Sequence, residues 1–95
     1  MAFSVRESFT NEQAQAVARE IGLDFEGVAF DIEQFRRGMQ VELEHGRRDP
    51  QTDVTHDDPL VTGKIAWVHL KEMPDYYERL DRMEAEAEAH RLIVP

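Results

Sequence analysis

Two short patterns in this 95-residue chain place metal-ligating residue types at helical spacing. Glu42-x-x-His45 and His69-x-x-Glu72 each set a carboxylate and an imidazole three residues apart, and residues three apart share a helix face. The patterns mirror one another: the midpoint of positions 42 and 72 is also the midpoint of 45 and 69. An antiparallel helix pair centred there would set Glu42 against Glu72 and His45 against His69. Two imidazoles and two carboxylates converging in that way suit zinc, iron or manganese. Glu-x-x-His is also the ligand spacing of di-iron helical bundles. The second pattern runs in reverse relative to that motif, and the remaining segments supply no further inward glutamates for a four-carboxylate site. The plainer reading makes Glu42 and His45 solvated flank residues near a helix C-terminus, where the helix dipole favours positive charge. It makes His69 a boundary histidine with one hydrogen bond.

Other groups invite weaker readings. Asp49, Asp53, Asp57 and Asp58 cluster with His56 in one polar stretch, but the spacing lacks the alternating ligands, central glycine and late glutamate of a calcium loop. Asp58 reads better as a helix cap and Asp49 as a turn former. Trp67 falls off the apolar stripes of its segment. If Tyr76 faces inward, Tyr77 lies about 100° further round the helix and is expected to be exposed. Exposed aromatics often anchor interfaces, so Trp67 and Tyr77, with Asp53 and His56 of the polar stretch, are the expected partner-binding residues. Asp81, Glu84, Glu86 and Glu88 form an acidic run of the kind a nucleic-acid mimic displays, although Arg79, Arg82 and Arg91 interrupt it. The only serines are Ser4 and Ser8, and no glycine-rich phosphate loop is present. A catalytic site without a metal is therefore not expected.

Composition narrows the classes further. Lys and Arg total 11 against 20 Asp and Glu, a formal charge of −9. Such a surface repels phosphate backbones and anionic lipid heads, so neither direct nucleic-acid binding nor membrane association is expected. The balance favours cationic partners or metal ions. There is no cysteine, which removes disulfides and thiolate sites and fits a cytoplasmic protein. The opening Met1–Arg6 segment lacks the apolar stretch of a signal peptide. An apolar fraction of 41% beside a charged fraction of 33% describes one small globular domain spanning the chain.

The elements that must position these residues are legible as four helices. Residues 1–9 form a lead-in with Phe3, Val5 and Phe9 as anchors. Thr10 with Gln13 reads as a capping box, and Ala14, Val17, Ala18 and Ile21 form one face of a helix over 11–21, stopped at Gly22. Phe25, Val28 and Phe30 mark a connector that packs over the core. Asp31 with Gln34 opens a helix over 31–45, with Ile32, Phe35, Met39 and Leu43 inward and Gly46 as its stop. Residues 46–57 are a polar loop longer than the usual ~4–6 residues. Asp58-Pro59 starts a helix over 58–73. Val61, Ile65 and Val68 form one stripe on it and Ala66, Leu70 and Met73 another, as expected of the central helix of a bundle. Pro74 separates it from a helix over 75–91 with Tyr76, Leu80, Met83 and Ala87 inward.

Val41-Glu42-Leu43-Glu44-His45-Gly46, Asp53-Val54-Thr55, Asp57-Asp58-Pro59, Thr62-Gly63-Lys64-Ile65-Ala66, His69-Leu70, Pro74-Asp75-Tyr76-Tyr77 and Arg79-Leu80 resemble the pattern of a small family of uncharacterised bacterial and phage proteins. Phe9-Thr10 and Gly22-Leu23-Asp24-Phe25 are similar as well, so the likeness spans roughly residues 9–84. The resemblance implies a compact helical domain, found alone or appended to larger proteins, and carries no activity or site residue. The expected architecture is thus an all-α bundle. The expected function is that of an acidic, non-enzymatic accessory domain binding a protein partner. A divalent-metal bundle using Glu42, His45, His69 and Glu72 is the first alternative, and an acidic nucleic-acid mimic the second. No cofactor other than such a metal is expected.

Overall fold

Local capping chemistry sets where the helices begin. In the computed structural model, which describes residues 8–93 and side chains through residue 91, four α-helices follow one another: α1 (Asn11–Ile21), α2 (Ile32–Arg48), α3 (Pro59–Glu72) and α4 (Tyr76–Ile93). Both expected capping boxes form. The Thr10 hydroxyl and Gln13 side chain close one reciprocally, and Asp31 with Gln34 closes the other. The Asp58 carboxylate accepts from the Leu60 and Val61 N–H groups ahead of Pro59. Gly22 takes a left-handed φ of 81°, and the Leu23 N–H returns to the Ala18 carbonyl, which ends α1 in a Schellman-type turn. Among the described residues there is no strand, and no helix is long and apolar enough to cross a membrane. The anchors expected at Phe3 and Val5 lie outside the described residues.

The core is built on the inner faces of α1, α2 and α3. Ala14, Val17 and Ala18 meet Phe35, Met39, Ala66 and Leu70, and the connector closes one end with Leu23 and Phe30. Phe25, on a single 3-10 turn (Phe25–Gly27), sets its ring edge-on to Phe30 and Phe35 at 6.2 and 5.8 Å between centroids. The connector thus packs as its apolar residues require. Both α2 and α3 touch every other helix, so the central position expected of α3 is shared with α2. Phe9 is half-buried and tied down by its N–H, which donates to Gln40 Oε1 at 2.9 Å.

Three expectations need correction. Gly46 does not stop the second helix, which continues to Arg48. The glycine is there for space: a Cβ at position 46 would stand 2.7 Å from Thr55 Oγ1. The helix ends instead where Asp49 is extended ahead of Pro50, as the residue before a proline tends to be. On α3 the buried residues are Thr62, Gly63, Ala66 and Leu70, while Val61 and Val68 are exposed. The small pair Thr62-Gly63 faces inward because α1 comes so close that a Cβ on Gly63 would lie 2.5 Å from Val17 Cγ1. On α4, Tyr77 and Leu80 are buried, and every residue from Asp81 to Arg91 is exposed, Met83 and Ala87 included. Only the last turns of α2 run beside this half, with His45 near Glu84 and Arg48 near Ala87, and they leave it exposed.

Candidate functional site

Glu42 lies on the buried stripe of α2, formed by Phe35, Gly38, Met39, Glu42, Leu43 and Gly46. It is only 9% exposed, so the plainer expectation of a solvated flank residue does not hold for it. A buried carboxylate needs a donor. Tyr77 supplies one, its hydroxyl donating to Glu42 Oε2 at 2.8 Å. Room for that ring comes from Gly38, where a Cβ would stand 2.5 Å from Tyr77 Cε2.

Two imidazoles flank the same carboxylate. His45, one turn along α2, places Nδ1 3.8 Å from Glu42 Oε1. His69, from α3, places Nε2 3.7 Å from Glu42 Oε2. Each ring turns its other nitrogen toward an outer carboxylate: His45 Nε2 lies 3.5 Å from Glu84 Oε2 of α4, and His69 Nδ1 lies 3.9 Å from Glu72 Oε1. All four separations exceed the ~3.2 Å reach of a normal N–H···O bond. Nδ1 of His69 is buried with no hydrogen-bond partner.

The tyrosines wall this cluster. Tyr76 stacks on His69 with centroids 4.3 Å apart and planes 7° from parallel. Tyr77 meets Tyr76 edge-on at 4.9 Å. Burial pushes the Tyr77 hydroxyl far above the ordinary phenol range, and the adjacent Glu42 charge and hydrogen bond add to the effect. Tyr76 is raised for the same leading reason, then by the charges of Glu42, Glu72 and Glu84.

All four residues of the mirrored pattern therefore meet in one cluster, but in a different arrangement from the expected one. Glu42 does not face Glu72; it sits between the two histidines. The Glu72 side chain is 72% exposed and lies 3.9 Å from His69 Nδ1. Among the described residues no group of three or more carboxylates and imidazoles is already drawn together tightly enough to hold a metal ion. Sequence reasoning missed Glu84, Tyr76 and Tyr77 as members. A signal for the tyrosines existed in Pro74-Asp75, which starts α4 directly after the helix carrying His69.

The residues expected to contact a partner are scattered. Tyr77 is 3% exposed, a correction to its expected exposure: of the two tyrosines it is the one that faces inward. Trp67 is half-buried, with its indole N–H buried and unpaired and Lys71 Nζ 4.7 Å from the ring centroid. Asp53 organises its own loop, where Oδ1 accepts from the His56 N–H at 2.9 Å and from the Thr55 hydroxyl at 3.2 Å. His56 is exposed and, with Asp57, takes a left-handed φ of 48° and 63°, a region that histidine and aspartate enter more readily than most residues. Arg47 grips Asp57 through two hydrogen bonds of 2.8 and 3.1 Å and holds its carboxyl below the usual range. With Thr55 buried under Gly46, the segment between α2 and α3 is a pinned turn.

Apolar surface is exposed in that turn at Val54, which is 69% exposed, and also where α3 meets α4. Met73, Tyr76, Arg79, Leu80 and Met83 line a shallow groove of about 220 Å³ where α3 hands over to α4. Met83 is 59% exposed, and Val68 on α3 is 54% exposed.

No curated protein and no solved structure matches this chain. A family model described as "protein of unknown function (DUF5661)" matches residues 14–86, the segment holding the core, the Glu42 cluster and the groove. The chain belongs to that family of uncharacterised proteins.

Proposed function

We propose that this domain is a small accessory module that binds a protein partner along α4, using the Met73–Met83 groove and the projecting half of the helix. The observation that carries this reading is the mismatch between stripe and core on α4. Tyr76, Leu80, Met83 and Ala87 follow the 4-3-4 spacing of a helix–helix seam, yet the stripe is exposed beyond Leu80. Asp81, Glu84, Glu86 and Glu88 flank its exposed part. The complementary partner is an amphipathic helix with an apolar face bordered by Lys and Arg. The contact surface expected from sequence shifts accordingly, since Tyr77 is committed to Glu42 and Asp53 to its own loop. A nucleic-acid mimic would use the same carboxylates against a basic groove but would not need Met83.

The test is site-specific photo-crosslinking in the native host, with the reactive residue at Met83 or, as control, at Glu12 on the outer face of α1. A discrete adduct from position 83 that disappears in Met73→Asp is the expected result. Indistinguishable adducts from both positions, or none from position 83, would remove the reading. An adduct that survives Met73→Asp and vanishes only when Glu84, Glu86 and Glu88 become Gln would favour the mimic.

A further inference from the structure

We infer that Glu42, His45 and His69 are the protein ligands of a divalent transition-metal ion, with zinc the ion that suits them best. It rests on α2 and α3, and shares only Glu84 and Tyr76 with the partner surface on α4. Three observations carry it. The first is distance. A zinc ion bound at about 2.0–2.2 Å by nitrogen and oxygen in tetrahedral geometry holds adjacent ligand atoms about 3.4 Å apart. Glu42 Oε1 to His45 Nδ1 is 3.8 Å, and Glu42 Oε2 to His69 Nε2 is 3.7 Å. These separations are too long for hydrogen bonds, and each pair taken alone is within a few tenths of an ångström of two ligands on one ion, the two imidazoles meeting different oxygens of the carboxylate. Drawing both imidazoles inward around the carboxylate would complete a set that is not yet closed.

The second observation is what stands behind each ligand. A histidine bound to a metal nearly always turns its other ring nitrogen toward a carboxylate, carbonyl or water. Here both do so, His45 toward Glu84 and His69 toward Glu72, at 3.5 and 3.9 Å. The carboxylate is backed as well, by the Tyr77 hydroxyl at 2.8 Å. The third is the hydrogen-bond account. Buried polar groups in folded proteins are nearly always partnered, and an exception calls for an explanation such as an ion. His69 Nδ1 is buried and unpartnered. With Nε2 on a metal, Nδ1 would carry the proton and face the Glu72 carboxylate 3.9 Å away. Two imidazoles and one carboxylate form a ligand set that zinc accepts.

The experiment uses the 95-residue protein without a histidine tag. Cobalt(II) is titrated in and followed by its visible absorption, zinc is used to displace it, and the thermal midpoint is recorded with and without zinc. The expected result is one equivalent of cobalt per chain, displaced by zinc, with a midpoint raised by stoichiometric zinc. His45→Ala and His69→Ala each weaken binding at least tenfold, and Glu72→Gln weakens it less than either. Because His69→Ala also removes the Tyr76 stack, His45→Ala is the decisive variant, and its circular dichroism without metal must match the parent. Absence of binding in the parent overturns the inference. So does binding that survives the His45→Ala/His69→Ala double change, which would assign the ion to the Asp53–Asp57 loop or the acidic face of α4.

Discussion

The side chain on which this fold depends most unusually is Glu42, an acid on the buried stripe of a helix with one hydrogen bond to hold it. Replacing its donor tests that dependence. Tyr77→Phe keeps the ring between Gly38, His69 and Tyr76 and removes only the hydroxyl. A buried acceptor left without its donor costs about 1–3 kcal/mol, so urea denaturation is expected to show a loss of that size. A change below about 0.5 kcal/mol would mean that Glu42 finds water instead. Close approach gives a second prediction at this scale. Gly38→Ala drives a Cβ to 2.5 Å from the Tyr77 ring, and overpacking of this kind typically costs about 1–3 kcal/mol. Gly27→Ala meets nothing within 4 Å and is expected to be neutral to within about 0.5 kcal/mol. Equal effects from the two alanines would show that the Tyr77 ring moves aside freely. Neither the Glu42–Tyr77 bond nor the Gly38 contact was legible from spacing. Both depend on where α4 crosses α2, and helical periodicity says nothing about a crossing. Starting the face of α4 at Tyr76 was enough to turn Tyr77 outward, when the helix in fact presents Tyr77 to Glu42.

At the scale of elements, what could be read was local and what could not was tertiary. Thr10/Gln13, Asp31/Gln34 and Asp58-Pro59 announce helix starts because each cap is closed within three residues. The starts they mark agree with the structure to within a residue. Gly46 was misread because glycine has two uses, ending a helix and admitting a neighbour, and the neighbour here is Thr55, nine residues on. The mirrored Glu and His positions were legible as a cluster because they need only that α2 and α3 run against each other. Which group sits in the middle was not, because Glu42 is drawn inward by a tyrosine from a third helix. The same logic exposes α4. Its stripe continues past Leu80, where only the last turns of α2 lie alongside, His45 near Glu84 and Arg48 near Ala87, without burying it. Replacing Met83 and Ala87 together by Gln is therefore expected to keep the stability within about 0.5 kcal/mol of the parent, since both side chains are exposed and surface changes rarely exceed that. Helical circular dichroism should match the parent's. A large destabilisation would show that the projecting half supports the fold, and the proposed division of α4 into a structural and a binding half would be lost.

For the whole molecule the governing facts are a charge of −9 and two phenols whose ionisation the fold opposes. Both predict weakness on the alkaline side, and they can be separated. Tyr77 is held protonated in the native state by burial and by the Glu42 charge, whereas in the unfolded chain it titrates near the ordinary value of about 10. Below that pH both states keep the proton and the stabilisation is complete. Above it the unfolded chain releases a proton that the native state retains, so the unfolded state gains and stability falls as pH rises. The slope approaches about 1.4 kcal/mol per pH unit for one fully retained proton. Charge repulsion acts differently. It builds gradually with net charge and is screened by salt, with a Debye length near 3 Å at 1 M, whereas a buried phenol beside a buried carboxylate is screened far less. Stability measured from pH 8 to 11 should therefore bend downward near pH 10 at both low and high salt. In Tyr77→Phe the starting stability is lower but the bend is shallower. A bend that disappears in high salt, or that Tyr77→Phe leaves unchanged, would assign the alkaline weakness to net charge and free Tyr77 from the role given to it. A bend that persists in salt and flattens without the hydroxyl would make one buried pair, Glu42 with Tyr77, the point through which the solvent reaches both the fold and the histidine cluster built on it.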